Sequence, residues 1–409
     1  MKKFLFRVVA LSLAASVSLV VVELGARVAW KSRYVSLLEA QTRGFDKVDR
    51  DRRIIVPEPG EGPTVTQLIA DLKTRGKAGG IANVEELVAR FGLTDSDRLF
   101  RINRYGFKGP EIEIPKPANV YRILTIGDSC TWGPYYERAS YPRVMERRLK
   151  QSTETRRRIE VVNGGVMGYN TSSVLRRVND LVATDPDLVT IYIGWNGTIV
   201  RADPRKIRFL YRHSGSYRIL YHLLMDKRVA SVADVGRGSL LYDEEDEIVP
   251  RLRETDFSYD LLDIEHVIDA FRDKDPDVQV VVITLAGLFD ERLEPDARAM
   301  EMAFPVSFTD NLFAWAVLSS EFNEQLREFC SRHGIQLVDY EQWALDHLEP
   351  RSDYFSDPVH PSIDGYERLG LFLADELERL RLIGDRAPSP VSESESTDRT
   401  QADRGDESS

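Results

Sequence analysis

The sequence predicts an α/β protein built on an open, doubly wound sheet of five parallel strands with helices on both faces. Short runs rich in β-branched residues alternate with helical patterns along the chain, and polar or glycine-rich turns follow several of these runs. The predicted strands are residues 122–126, 159–162, 188–193, 278–285 and 335–338. Because ligands of such sheets bind outside the carboxyl ends of the strands, functional residues are expected just after each strand.

The predicted helices between these strands have apolar faces at helical spacing. One such face consists of Val174, Leu175, Val178, Leu181 and Val182. Pro186 follows it and disfavours helix at the residue before, so this helix ends ahead of the third strand. The last predicted helix spans residues 363–382 and carries four leucines and Phe372 at similar spacing.

Composition narrows the class of protein. The chain has 409 residues, and its 42% of hydrophobic residues is sufficient for a large core. Asp and Glu outnumber Lys and Arg by 66 to 55, which gives a net charge of -11 and disfavours a nucleic-acid partner. Two cysteines, Cys130 and Cys330, are too few for a disulfide-stapled scaffold and lack zinc-site spacing. No metal or organic cofactor is indicated.

The first residues have the pattern of a membrane segment. Lys2, Lys3 and Arg7 precede an uncharged run at residues 8–22. We expect residues 1–33 to form an uncleaved signal anchor or transmembrane helix, with the N-terminus inside and the body on the periplasmic or extracellular side. A cleaved secretory signal is the alternative, because fifteen helical residues rise only about 22 Å across a hydrocarbon core of about 30 Å.

Residues 34–100 are polar and irregular, and we expect a juxtamembrane stalk there. The proline and glycine cluster at residues 57–63 is incompatible with a continuous helix or strand. Two short helical patterns, at residues 65–72 and 84–91, either pack against the main domain or belong to a partly ordered linker. The main domain is predicted to span residues 101–385.

Two further segments depart from a compact α/β unit. Residues 386–409 are dominated by charged residues, Ser and Pro, and are predicted to be a disordered acidic tail. Residues 198–257 form a long insertion between the third and fourth strands. It is either a lid or acceptor wall, a surface facing anionic lipid headgroups, or a solvated helical excursion. Its first half is basic and aromatic: Arg201, Arg205, Lys206, Arg208, Phe209, Tyr211, Arg212, Tyr217, Arg218 and Tyr221.

Polar turns follow the first two strands. Asp128 and Ser129 come directly after the first strand, which places a hydroxyl at the start of the next helix. Taken alone, these residues are more typical of a helix cap than of a nucleophile. Residues 163–170 follow the second strand, and their glycines, including Gly168, allow backbone N–H groups to approach a ligand.

Polar side chains also follow the third strand and precede the last helix. Asn196, in the sequence Gly-Trp-Asn-Gly, presents either a side-chain amide donor or an ordinary turn. Asp357 and His360 lie three residues apart on one loop. A turn there lets the carboxylate hold one ring nitrogen while the other faces the crevice.

Together these four blocks resemble the SGNH hydrolases, also called GDSL esterases, of the membrane-anchored bacterial type. The resemblance extends over residues 103–382, including a lead-in at residues 103–109 that is similar to the segment before the nucleophile in anchored members. It implies a flavodoxin-like three-layer α/β/α sandwich, the SGNH hydrolase fold. It also implies hydrolysis of ester bonds without a cofactor.

The resemblance assigns roles to individual residues. Ser129 would attack the acyl carbon, His360 would transfer its proton, and Asp357 would orient His360. The oxyanion hole would consist of the backbone N–H groups of Ser129 and Gly168 and the side-chain amide of Asn196. Family members commonly read Gly-x-Asn-Asp in the third block, whereas this chain has glycine at position 197.

The expected function is a serine ester hydrolase for acyl esters, with acetyl favoured, of cell-envelope carbohydrate or lipid. This substrate class follows from the expected location at the membrane. An O-acetyltransferase of surface polysaccharide is the alternative enzyme. A non-catalytic glycan-binding assembly protein is the alternative of a different class.

Overall fold

The computed structural model describes the backbone of residues 2–74, 78–152, 156–203, 206–225 and 240–384. Side chains are described over the same ranges except at residues 2–14, 78–81, 208, 212 and 225. The predicted tail at residues 386–409 therefore lies outside the described residues, as do the side chains of Arg205, Arg208 and Arg212 in the insertion.

The described strands and helices alternate through most of the chain. The strands are β1 (Asp46–Asp49), β2 (Ile54–Pro57), β3 (Gly60–Glu61), β4 (Arg101–Ile102), β5 (Val120–Gly127), β6 (Arg158–Asn163), β7 (Leu188–Tyr192), β8 (Gln279–Ile283) and β9 (Gln336–Val338). The first helices are α1 (Lys2–Gln41), α2 (Val65–Thr74), α3 (Ala78–Phe91), α4 (Ser129–Trp132), α5 (Tyr141–Ser152), α6 (Thr171–Val182), α7 (Trp195–Ala202) and α8 (Arg208–His213). The remaining helices are α9 (Gly215–Met225), α10 (Val249–Arg253), α11 (Ser258–Lys274), α12 (Ala297–Met302), α13 (Phe313–His333), α14 (Tyr340–His347), α15 (Arg351–Tyr354) and α16 (Ile363–Arg379).

Five strands form the central sheet in the order β6-β5-β7-β8-β9, and every neighbouring pair is parallel. This is the order 2-1-3-4-5 of flavodoxin-like sheets, so the predicted fold class is confirmed. All eight residues of β5 are buried, as expected for a strand covered by helices on both faces. Helices pack in pairs around the sheet, α5 against α16 and α6 against α11.

The segment predicted to be a stalk packs against the main domain. Strands β1 and β2 form an antiparallel hairpin, and β3 pairs with β4. Helices α2 and α3 bury apolar side chains in a separate hydrophobic cluster that also contains Trp132 of the main domain. This cluster consists of Val65, Leu68, Leu72, Val84, Leu99, Phe100, Ile102 and Trp132. The patterns at 65–72 and 84–91 thus belong to helices that contact the domain.

The N-terminal helix α1 contacts the insertion. Its Glu23 carboxylate accepts hydrogen bonds from the hydroxyl of Ser214 at 2.9 Å and from the backbone N–H of Gly215 at 2.6 Å, at the start of α9. Trp30 is buried and stacks on His222 with ring centroids 4.8 Å apart. Among the residues that the structure describes, no helix is apolar over a stretch long enough to cross a membrane.

Candidate active site

Three loops bring polar groups to the carboxyl edge of the sheet, and side-chain caps fix the start of the helix that follows each. The Asp128 carboxylate accepts from the N–H of Cys130 at 2.9 Å, where β5 passes into α4. Asn170 accepts from the N–H of Ser173 at 3.0 Å and begins α6. Ser362 caps α16 two residues after His360. Caps of this kind define where a helix begins, so the preceding loop residues are held in place.

The side chains of Ser129, His360 and Asp357 form one continuous hydrogen-bonded chain. His360 Nε2 lies 2.7 Å from Ser129 Oγ, although the two residues are 231 positions apart. His360 Nδ1 lies 2.8 Å from Asp357 Oδ2. The other carboxylate oxygen of Asp357 accepts from the backbone N–H groups of Val359 and His360, which closes the loop into a turn. The structure therefore brings together the three residues that the sequence singled out at separate positions.

Charge coupling sets the protonation of this chain. Burial by itself lowers the pKa of His360, but the negative charges of Asp357 and Asp128 and the hydrogen bond to Asp357 outweigh it, so the pKa is raised. Burial opposes ionisation of Asp357, yet the charge and hydrogen bonds of the His360 loop hold its pKa below the usual value. The pair therefore favours a charged carboxylate beside an imidazole that accepts a proton readily.

The candidate oxyanion-hole residues lie on neighbouring loops. Gly168 has φ +78°, a conformation that favours glycine, and lines the same cavity as Ser129 and His360. The Asn196 amide nitrogen donates to the carbonyl oxygen of Tyr169 at 2.9 Å. An amide nitrogen carries two protons, so this bond leaves one proton of Asn196 for a ligand.

A carboxylate from another helix occupies the space beside Gly197. A Cβ atom at position 197 would lie 2.8 Å from Asp260 Oδ1, so any larger residue there would require the Asp260 side chain to move. Asp260 instead accepts from Thr171 Oγ1 at 3.0 Å and pairs with Arg201 at 2.7 Å. It thereby connects the start of α6, which follows the Gly168 loop, to α7, which carries Asn196. Sequence reasoning missed Asp260, because no local pattern links it to a loop 63 positions earlier.

The site opens into a cavity of about 330 Å³, to which the N-terminal segment contributes one side. Four residues of that segment, which we call the N-terminal wall, line this cavity together with Ser129 and His360. The N-terminal wall consists of Arg43, Asn83, Glu86 and Leu87. These residues were also missed, since helical spacing at 84–91 shows that one face is buried but not what lies opposite it.

Two buried ionisable groups contact the helix that begins with Ser129 or the loop that follows it. Burial raises the pKa of Asp128 to about 6, and its charge contributes to the raised pKa of His360. Burial lowers the pKa of Lys108 to about 7. The Lys108 ammonium donates to the carbonyl oxygens of Trp132 at 3.1 Å and Pro134 at 2.6 Å. Lys108 therefore holds the loop that follows the Ser129 helix.

The described part of the chain contains no recognisable metal-binding site. No group of three or more His, Cys, Asp and Glu side chains there is arranged to hold a metal ion. What the described residues do assemble is a hydroxyl, an imidazole and a carboxylate in line at the edge of a parallel sheet. This is the arrangement of hydrolases that use a serine nucleophile.

The family follows from a match over most of the domain. The model of the GDSL-like lipase/acylhydrolase family matches residues 125–368, and the chain belongs to this family of ester-bond hydrolases. No curated protein sequence matches the chain.

Solved structures of similar fold come from several bacteria. A lipase/acylhydrolase from Enterococcus faecalis is 18% identical and has a TM-score of 0.38, over 66% of this chain and 100% of that one. A member of the lipolytic G-D-S-L family from Veillonella parvula is 16% identical with a TM-score of 0.36, over 63% and 98%. A GDSL-like lipase from Bacteroides thetaiotaomicron is 15% identical with a TM-score of 0.36, over 63% and 88%.

Proposed function

We propose that this protein is a serine hydrolase that cleaves acyl esters, with acetyl favoured, of cell-envelope carbohydrate or lipid. The observation that carries the proposal is the hydrogen-bonded chain from Ser129 through His360 to Asp357. Its hydroxyl end opens into the cavity where an ester would bind.

The reaction follows from the positions of these atoms. His360 Nε2 takes the proton of Ser129 as Oγ bonds to the acyl carbon. The resulting oxyanion is held by the N–H groups of Ser129 and Gly168 and the amide of Asn196. His360 then gives its proton to the leaving alcohol oxygen, which leaves the acyl group on Ser129. Water then attacks the acyl carbon as His360 takes one of its protons, and His360 returns that proton to Ser129 Oγ as the bond between Oγ and the acyl carbon breaks and the acid leaves.

The carboxylates stabilise the charge that forms during each step. Asp357 holds Nδ1–H of His360 and stays ionised, so the imidazolium is stabilised when Ser129 loses its proton. Asp128 adds a second negative charge near the same ring. With two carboxylates nearby and a raised pKa, His360 is a stronger base than a free imidazole.

A second cavity supports a polar alcohol as the leaving group. It measures about 520 Å³ and shares four lining residues with the active-site cavity: Asn83, Glu86, Ser356 and Ser362. Charged and polar side chains including Arg298, Asp353 and Arg368 line its other parts. Such groups match the hydroxyls of a carbohydrate better than the hydrocarbon of a lipid, so we favour an acetylated glycan.

The envelope location is part of the proposal. It rests on the basic residues Lys2, Lys3 and Arg7 ahead of the uncharged run at residues 8–22. Expression of the full chain with a C-terminal tag should give a membrane-bound protein whose tag is degraded by protease added to spheroplasts. Protection of the tag in intact spheroplasts, with degradation after lysis, would contradict the proposed orientation.

Activity-based labelling of the full chain tests the reaction. A fluorophosphonate probe should label the protein at Ser129, and the purified protein should release acetate from acetylated oligosaccharides. Ser129→Ala should lose both signals. A reaction with a soluble acetyl donor and an unacetylated glycan distinguishes an ester hydrolase from an O-acetyltransferase. If acetylated glycan is the main product, the protein is an O-acetyltransferase and the proposed hydrolysis is wrong. Labelling at another residue would remove Ser129 from the mechanism.

A further inference from the structure

Lys108 belongs to the segment at residues 103–109, to which the proposed reaction gives no role. Its side chain carries an ammonium group although the residue is only 1% exposed. Within the described residues, its hydrogen-bond acceptors are backbone carbonyls and not carboxylates. The Glu137 carboxylate, which favours the charged form of Lys108, is paired with Arg143 at 2.8 Å. Burial of a cation on such partners is costly for folding, which indicates a role in the neighbouring site.

A turn closed by Asn103 brings Lys108 to this position. The side-chain oxygen of Asn103 accepts from the backbone N–H groups of Tyr105 and Phe107, both at 3.0 Å. The backbone of Lys108 then forms an antiparallel bridge with Asn163, the last residue of β6. The segment is therefore attached to the strand that precedes the glycine-rich loop of the site.

The Lys108 ammonium binds the backbone where the Ser129 helix ends. Its two acceptors are the carbonyl oxygens of Trp132, the last residue of α4, and of Pro134. Helix α4 has only four residues, and the N–H of Gly133 donates to the carbonyl oxygen of Ser129 at 2.9 Å. Carbonyl oxygens at a helix end carry partial negative charge, which a cation stabilises. In so short a helix, a shift of these carbonyls would also move Ser129.

Asn163 binds the same turn from the loop after β6. Its amide nitrogen donates to the carbonyl oxygens of Thr131 at 3.0 Å and Trp132 at 3.3 Å, and its side-chain oxygen accepts from the N–H of Gly165 at 3.0 Å. Lys108 and Asn163 therefore share the carbonyl oxygen of Trp132. A Cβ atom at Gly165 would lie 2.3 Å from the backbone nitrogen of Trp132, so α4 and this loop are in close contact.

We propose that Lys108 is a positioning residue of the oxyanion hole, which together with Asn163 fixes the Ser129 helix against the loop that carries Gly168. This inference rests on the proposed function. The two backbone N–H groups of the proposed oxyanion hole lie on opposite sides of the contact, that of Ser129 on α4 and that of Gly168 on the loop after β6. Their spacing therefore depends on how α4 packs against this loop. Displaced donors lower the rate of the chemical step, because they act on charge in the transition state.

Kinetics of the full chain with a short-chain aryl ester test the role of Lys108. The described lining of the active-site cavity does not include Lys108, so its loss should affect kcat rather than KM. Lys108→Met keeps an apolar stem of similar length but removes the cation, and its kcat should fall about 10- to 100-fold with KM changed by less than about threefold. Lys108→Arg keeps a cation that can donate to the same carbonyls, so its kcat should be about fivefold or more above that of Lys108→Met. The rate of labelling by a fluorophosphonate should follow the same order, because the phosphonyl oxygen occupies the oxyanion hole.

Lys116→Met is the matched control. Lys116 is also largely buried and pairs with Asp187 at 2.7 Å. Both residues precede strands, Lys116 before β5 and Asp187 before β7, so they lie at the opposite edge of the sheet from the site. Lys116→Met should lower the unfolding temperature but keep kcat within about twofold. Equal losses of kcat in Lys108→Met and Lys116→Met, measured below both unfolding temperatures, would overturn the role of Lys108.

Two further outcomes separate this inference from the proposed function. An active unaltered protein together with an unchanged kcat in Lys108→Met would overturn the role of Lys108 alone. An unaltered protein that neither hydrolyses the ester nor reacts with the probe at Ser129 would overturn both proposals. Equal kcat values in folded Lys108→Met and Lys108→Arg would assign the effect to packing and overturn the role of the cation; circular dichroism checks the fold.

Discussion

The two sides of the active-site cavity are built in different ways. On the sheet side, Ser129, Asp357 and His360 are hydrogen-bonded to one another and follow or precede elements of the central domain. On the other side, Asn83 and Glu86 of the N-terminal wall are exposed and belong to a segment outside the sheet. Under the proposed function, the central domain supplies the reacting groups, whereas the N-terminal segment shapes the space for substrate.

The sheet side and the N-terminal wall side of the cavity are nevertheless in contact near Ser129, through aromatic packing at the end of its helix. Trp132, the last residue of the helix that begins with Ser129, packs with Phe45 and Phe100 at ring-centroid distances of 5.7 and 5.6 Å. Both phenylalanines lie in the N-terminal segment or at its end. The wall is thus anchored close to the residue whose substrate it faces, and substitutions can distinguish the roles of the two sides.

The largest effect is expected on the sheet side at Ser129. Ser129→Ala removes the attacking oxygen, so kcat for a short-chain aryl ester should fall by about 10⁴ to 10⁶. Ser356→Ala is the matched control, because this serine lines the same cavity and its hydroxyl bonds to the carbonyl of His360. It should change kcat by less than about tenfold. If Ser129→Ala keeps its turnover, the reacting groups do not lie on the sheet side of the cavity as proposed.

Asp357→Asn should give the next largest effect. The amide keeps the shape of the side chain but removes the charge that stabilises the His360 imidazolium, so kcat should fall by about 10² to 10⁴. Asp353→Asn is the control, since Asp353 is nearby, exposed and paired with Arg298. Steady-state kinetics provide the measurement. A near-normal kcat for Asp357→Asn would mean that another group orients His360.

Asn196→Ala tests the amide of the oxyanion hole. Loss of one donor should lower kcat by about 10² to 10³ while KM stays nearly constant, because the donor acts mainly on the charge of the transition state. Circular dichroism should be unchanged. A rise of KM alone would place Asn196 among substrate-binding residues instead.

The pH profile tests the electrostatics of the sheet side. His360 accepts a proton only when neutral, and its pKa is raised by Asp357 and Asp128, so kcat/KM should fall on acidification through a pKa above 6.5. Each pH unit below that pKa should lower kcat/KM about tenfold. If kcat/KM of the unaltered protein falls only below pH 6, Asp357 and Asp128 do not raise the pKa of His360.

The smallest effects on rate are expected at the N-terminal wall. Glu86→Ala should alter KM by a few fold, about 2 to 10, with little change of kcat, because Glu86 faces the substrate space without touching the reacting groups. Glu85→Ala, at an exposed position one residue earlier, should leave both constants unchanged. Acetylated oligosaccharides of increasing length provide the measurement. A large loss of kcat in Glu86→Ala would give the wall a catalytic role.

The sheet was predictable because its signals are local. The predicted strand at 122–126 lies within observed β5 (Val120–Gly127), since β-branched runs buried on both faces are recognisable without knowledge of their neighbours. Ser129, Asp357 and His360 were singled out through their resemblance to the motifs of a known family, and the structure places their side chains in one hydrogen-bonded chain. The turn at Asp357 is closed by its own neighbours.

The N-terminal wall and Asp260 were not predictable for the opposite reason. Their positions depend on contacts between residues distant in sequence, such as Phe45 with Trp132 and Asp260 with Thr171. A polar segment with short helical patterns is compatible with a stalk as well as with a packed wall. Only the apolar cluster around Trp132 decides between them, and that cluster draws on residues from both sides of the boundary at about residue 100.

Gly197 and Asp260 carry a consequence for the history of this sequence. An aspartate introduced at 197 would meet the Asp260 carboxylate at close range, so two negative charges would compete for one space. Loss of Asp260 first would leave Arg201 and Thr171 without the group that joins them. Each single replacement is therefore expected to be unfavourable, so an aspartate at position 197 would require a compensating replacement at position 260. The two sites should consequently covary across descendants of a common ancestor.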